Sequence, residues 1–141
     1  MKFIEKLLSK NSYNDKKQTA VSTGNLGEEA AVKALKKQGY KIIERNYRTK
    51  LGEIDVIAKD GEYTCFVEVR LRKTNDFGSP ADTIDESKQQ KIIKTAQMYA
   101  VKNGIYDTPM RFDAVLINAK VRNNKLVDEK IEIIKNAFWL S

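Results

Sequence analysis

The chain has 141 residues, no histidine and a single cysteine, Cys65. Without histidine there are no imidazole zinc sites, no Ser-His or Cys-His nucleophile pairs and no imidazole general base. One cysteine cannot build an internal disulfide, a Cys-rich zinc ribbon or an iron–sulfur cluster. Cys65 lies inside an apolar, strand-like run, and a reducing cytoplasm is the expected compartment. No run approaches the roughly 18 consecutive apolar residues that a membrane helix requires. Met1 to Lys10 alternates apolar and charged residues, lacking the continuous apolar stretch and small-residue cleavage site of a secretory signal. Any hydrolytic chemistry would therefore rest on carboxylates, lysines and a hard metal ion.

What is present suits one domain with a single core: 41% hydrophobic and 32% charged residues. Net charge is +7, from 26 basic and 19 acidic residues. That balance favours a polyanionic partner, nucleic acid or an anionic membrane, although many basic proteins bind neither.

Lys2 to Ser9 reads as a short amphipathic helix, with Phe3, Ile4, Leu7 and Leu8 on one side, followed by a polar linker to Ser22. Residues 1–22 are thus set apart from a domain spanning 23–141. From Thr23 to Gln38, Leu26, Ala30, Ala34 and Leu35 recur at helical spacing before Gly39. Strands are expected over Lys41–Arg48, Glu53–Lys59 and Glu62–Leu71, the last two joined by an Asp60-Gly61 hairpin. Arg72 to Thr83 reads as a loop. A second helix runs from about Asp85 to Lys102, and two strands follow, Arg111–Ala119 and Lys125–Ile134, joined at Asn123-Asn124. The fold class is α/β, a mixed central sheet flanked by helices in the order helix, three strands, helix, two strands. The C-terminal Ala137 to Leu140 is expected to pack on the body, and Tyr40, Tyr47, Phe66 and Tyr99 read as core or rim aromatics rather than base-stacking platforms.

The informative charges lie inside strands. Strand alternation puts Glu53 and Asp55 on one face, with Ile54 and Val56 on the other, and puts Glu68 and Arg70 together opposite Val67, Val69 and Leu71. Counting about an Asp60-Gly61 turn sets Asp55 opposite Phe66, so Asp55 and Glu68 become diagonal neighbours about 7–8 Å apart. Two carboxylates at that span suit Mg²⁺ or Mn²⁺, which bind oxygen ligands and act on phosphate esters. A cation alongside stabilises developing charge. A solvated cross-strand ion-pair network is the bland alternative. Asp113, in an otherwise apolar strand, reads as the partner of Arg111. Arg45, Arg48, Lys50, Arg70, Arg72 and Lys73 fall near the site-bearing strands as phosphate contacts or as solubilising charge.

Gly27-Glu28-Glu29-Ala30, Gly39-Tyr40, Arg45-Asn46, Gly52-Glu53-Ile54-Asp55, Phe66-Val67-Glu68-Val69-Arg70, Gly78, Lys88 and Arg111-Phe112-Asp113 fall in the order and spacing of the YraN-like proteins, uncharacterised protein family 0102. The chain resembles that family from about Gly24 to Phe138. The resemblance implies a PD-(D/E)XK restriction-endonuclease-like core, similar to archaeal Holliday-junction resolvases, and an endonuclease-like protein acting on DNA with Mg²⁺ or Mn²⁺. It makes Asp55 and Glu68 the motif carboxylates and Glu28 a third acidic residue near the metal. It departs from the superfamily pattern at Arg70, where lysine is expected. Arginine cannot serve as a base. Lys88, early in the second helix, would supply an amine if that helix packs beside the strands. The resemblance to resolvases is also compatible with a homodimer. A nucleic-acid-binding protein that kept the fold and lost efficient cutting is the alternative.

Overall fold

The computed structural model describes residues 23–73 and 84–138. The amphipathic segment and linker expected over residues 1–22, most of the loop after Arg72, and Trp139-Leu140 lie outside the described residues. Helix α1 (Thr23–Lys37) leads into β1 (Lys41–Arg48), β2 (Glu53–Asp60) and β3 (Tyr63–Lys73); helix α2 (Glu86–Lys102) leads into β4 (Met110–Arg122) and β5 (Lys125–Phe138). The five strands lie in chain order in one sheet, antiparallel except where β3 runs parallel to β4. A parallel pair needs a long crossover, and α2 supplies it. This is an α/β architecture compatible with a restriction-endonuclease-like core.

Local chemistry explains the ends of the helices. After α1, Gly39 takes φ +95°, and the Tyr40 N–H returns to the Leu35 carbonyl at 3.0 Å, closing the helix with a left-handed residue. Asp85 caps α2, its side chain accepting the Lys88 N–H at 2.8 Å.

The two helices cover opposite faces of the sheet. Ala31, Val32 and Leu35 of α1 pack with Val56, Cys65, Val67, Val115 and Ile117. Ile92, Ile93, Ala96 and Tyr99 of α2 pack with Ile57, Phe66, Ala114 and Phe138. The centre of β3 is therefore buried on both sides, which is why Cys65-Phe66-Val67 is continuously apolar. Tyr40, Tyr47, Phe66 and Tyr99 are all buried, as core aromatics.

Two expectations are corrected. The β2–β3 turn is Gly61-Glu62, not Asp60-Gly61: Asp60 pairs with Tyr63 and Ile57 with Phe66. Only Gly61 has positive φ, +60°, the demand of a type II′ turn on its first central residue. Strand β5 also continues past Ile134 to Phe138. The polar Lys135-Asn136 reads as a strand end, but Asn136 bulges at φ +56° and donates its N–H to Asp113 Oδ1 at 2.9 Å. Pairing then resumes at Phe112 and Phe138, whose rings stack 5.1 Å apart.

Candidate functional site

Strands β2 and β3 stay paired from Asp60↔Tyr63 to Val56↔Val67 and then part. Beyond that point β2 pairs only with β1, as far as Glu53↔Arg48, while β3 continues along β4 to Lys73. Asp55 is the first residue inside this fork. In a continuing ladder the Val69 N–H would meet the backbone near Ile54. Instead Asp55 Oδ2 accepts it at 2.8 Å, so a side chain replaces a ladder carbonyl and spares β3 an unsatisfied donor. Face alternation breaks here as well. Ile54 packs with the α2 cluster and Val56 with the α1 cluster, so the expectation that they share a face fails. The fork bends β2 at Asp55.

Carried one step beyond Val56↔Val67, the register sets Asp55 directly opposite Glu68, a correction to the diagonal placement. The change follows from the one-residue shift of the turn. Glu68 is 3% exposed and lies on the α2 side, where its Oε1 meets Lys88 Nζ at 2.8 Å. Helix α2 thus packs where Lys88 can supply an amine. Burial and the neighbouring charge of Glu68 push the Asp55 carboxyl up to about 7, against the pull of the Val69 N–H and Lys88. The two acids lie near enough for the charge of Glu68 to be felt at Asp55, which it helps to raise.

Glu28, on α1, is nearly buried and holds different company. Its Oε1 accepts from Asn46 Nδ2 at 2.8 Å and from Arg45 Nε at 3.3 Å. Arg45 also bridges to Glu29 at 2.7 Å. Glu28, Asn46, Arg48, Glu53 and Asp55 line one cavity of about 240 Å³. Among the described residues, however, no three His, Cys, Asp or Glu side chains converge as a ready metal cage. Glu28 and Asp55 share a cavity, and Asp55 and Glu68 share a cross-strand position, without all three meeting. A larger groove, about 700 Å³, runs between α1 and β5 and is lined by Lys33, Lys37, Ile131 and Lys135 among others. It holds none of the candidate residues.

The sequence model of the uncharacterised protein family UPF0102 matches residues 27–117, a span that contains Glu28, Asp55, Glu68, Arg70 and Lys88. The chain belongs to UPF0102. UPF0102 proteins of Acetivibrio thermocellus and Clostridium tetani are 40% and 42% identical to it, over 91% and 92% of this chain and 99% of each relative. One from Desulfosudis oleivorans is 44% identical over 82% of this chain and 88% of its own.

The remaining polar residues of this UPF0102 chain divide between the site and the frame. Arg70, half-buried, sits opposite Leu116 of β4 in the sheet register. Arg48 pairs with Glu53 at 3.3 Å, and Arg72 donates to Asn118 Oδ1 at 2.9 Å. Lys50 and Lys73 are exposed. Asp113 belongs to the frame: fully buried, it accepts from Arg111, from the Tyr40 hydroxyl and from the Asn136 N–H. Arg111 reaches on to Asp60 at 2.7 Å. Sequence reasoning assigned no role to Asn46, although an asparagine inside a strand is unfavourable enough to have drawn notice. No helix among the described residues is long and apolar enough to cross a membrane.

Proposed function

We propose that this chain is a metal-dependent, endonuclease-like protein that hydrolyses DNA phosphodiester bonds, with a preference set by DNA structure. The observation that carries the reading is Asp55 raised by burial and by the charge of Glu68 at the β2–β3 fork, with Lys88 on Glu68. The donor set fits Mg²⁺ or Mn²⁺: both groups are carboxylates, and one or two carboxylates suffice when water and phosphate fill the other positions. The elevated Asp55 carboxyl supports the fit, since a divalent cation there would offset both its burial and the repulsion from Glu68. Asp55 and Glu68 would hold the ion, and Glu28 would face it from across the cavity. When bound, the ion supplies a Lewis acid for the phosphate and acidifies water for attack.

The chain's own residues do the rest. The Val69 N–H fixes the orientation of Asp55, leaving Oδ1 for other partners. Lys88 neutralises Glu68 at rest, and its ammonium can move to the phosphate as charge builds there. Arg70 adds a permanent positive charge two residues beyond Glu68. The net charge of +7 favours a polyanion.

The alternative is a DNA-binding protein of this fold that cuts poorly or not at all. Arg70 in the place of the motif lysine favours it, because arginine holds phosphate but cannot take a proton. Single-stranded, duplex, flap and four-way DNA, incubated with Mg²⁺ or Mn²⁺, separate the two. The nuclease reading expects cleavage of at least one substrate, reduced at least about 100-fold in Asp55→Ala and Glu68→Ala. Binding to branched DNA with no cleavage in either metal selects the alternative. RNA substrates and a sizing column with and without four-way DNA then settle sugar preference and the homodimer.

A further inference from the structure

Asn46 lies in the same cross-strand row as the carboxylates. Arg45 pairs with Val56 and Tyr47 with Ile54, which sets Asn46 across from Asp55; one further step of the β2–β3 register, past its last pair Val56↔Val67, leads to Glu68. Its backbone has φ +54°, a left-handed conformation rare for a non-glycine residue and rarer within a strand. That turn has a consequence. In a regular strand, adjacent side chains point to opposite faces, yet Arg45 and Asn46 both reach one carboxylate on α1, that of Glu28. Both donors converge on Oε1. Glu28 also lines the cavity that it shares with Asp55, so fixing one oxygen orients the other.

We infer that Asn46 is a positioning residue: with Arg45 it clamps Glu28 by one oxygen, so that the other is presented beside Asp55. The backbone strain at Asn46 is what makes the clamp, since a right-handed residue there would send the amide to the α2 face. Strain at a non-glycine residue persists where surrounding contacts fix it, as they do at functional sites. Asparagine tolerates this conformation better than most residues and carries the needed N–H donor. Aspartate would tolerate it but repel Glu28, and glycine would tolerate it but donate nothing.

The inference deepens the nuclease reading and rests on it for the use made of Glu28, though not for the clamp itself. The test has two arms. In metal-free protein, the Asn46 side-chain amide should give NMR resonances protected from exchange with water, and Glu28→Ala should abolish the protection. Calorimetry with Mn²⁺ then compares the native chain with Asn46→Gly, which keeps the backbone conformation, and with Asn46→Asp. Affinity should fall about tenfold or more in both, while the thermal unfolding of Asn46→Gly stays close to native. An unprotected Asn46 amide overturns the clamp whatever the metal does. Protection with native-like Mn²⁺ affinity in both variants overturns the positioning role. If the native chain binds no Mn²⁺, the nuclease reading fails, and the amide signal still decides the clamp.

Discussion

Asp55, half-buried, and Asp113, fully buried, lie two strands apart in one sheet, and their surroundings drive them in opposite directions. Burial alone would raise the carboxyl of Asp113, but hydrogen bonds from Arg111, the Asn136 N–H and the Tyr40 hydroxyl outweigh it and hold the group below the usual carboxylate range. Asp55 has one backbone donor against burial and the charge of Glu68, and it rises to about 7. Asp113 has its counter-charge within the protein, and it ties β4 to β5, to Tyr40 and, through Arg111, to Asp60 of β2. For Asp55 the pull of Lys88 is outweighed by burial and by Glu68. Surplus donors make Asp113 a structural device, whereas a carboxylate short of them beside a cavity is the kind that the proposed metal site requires.

The sharpest way to break this comparison is mutational. Asp113→Ala leaves Arg111 without its main partner and should cost about 3–5 kcal/mol in urea unfolding at pH 7. Asp55→Asn, which removes a strained charge, should leave stability unchanged or raise it. Equal losses in the two variants would show that Asp55 is part of the frame.

The pH dependence should separate them next. A carboxyl raised in the folded state keeps its proton longer than in the unfolded chain, so Asp55 makes the native state most favoured below about pH 4 and less so as pH climbs through about 7. The expected loss is on the order of 4 kcal/mol at most, read as a slope in unfolding free energy that Asp55→Asn abolishes. Asp113 contributes the reverse: its stabilisation is present above about pH 4 and is lost as pH falls below it. A native chain with no difference in slope from Asp55→Asn between pH 5 and 7 would contradict the elevated carboxyl.

Metal binding offers a finer measure. If Mn²⁺ displaces the Asp55 proton, its affinity should rise up to about tenfold per pH unit below pH 7, with proton release in calorimetry run in buffers of different ionisation enthalpy. Pre-existing ionisation would give neither. The smallest effect is expected of Tyr40→Phe, which deletes one of several donors to Asp113 and should cost about 1 kcal/mol in unfolding.

Much of this was legible in the chain. The element order, the two helices and the strand positions followed from periodicity because each element buries an apolar face, and burial writes a period into sequence. Asp113 with Arg111 could be read as an ion pair because a lone acid in an apolar strand needs a partner. What was misread lay at points of irregular backbone. The turn at Gly61-Glu62 shifted the register by one residue, and the bulge at Asn136 extended β5 past its expected end. The break in alternation at Asp55 moved Ile54 to the other face. A pattern rule assumes regular geometry, and these positions depart from it.

The sequence alone determined the chemistry open to this protein: oxygen ligands and amines with no imidazole, on a mixed sheet between two helices, with Asp55 and Glu68 on neighbouring strands. It could do so because residue types and their period are local properties. Only the tertiary structure decided that Asp55 and Glu28 share a cavity, that Lys88 sits on Glu68, and that Arg45 and Asn46 turn together onto Glu28. Those outcomes depend on where two strands part and on a single left-handed residue, and neither is encoded in the spacing of residues along the chain.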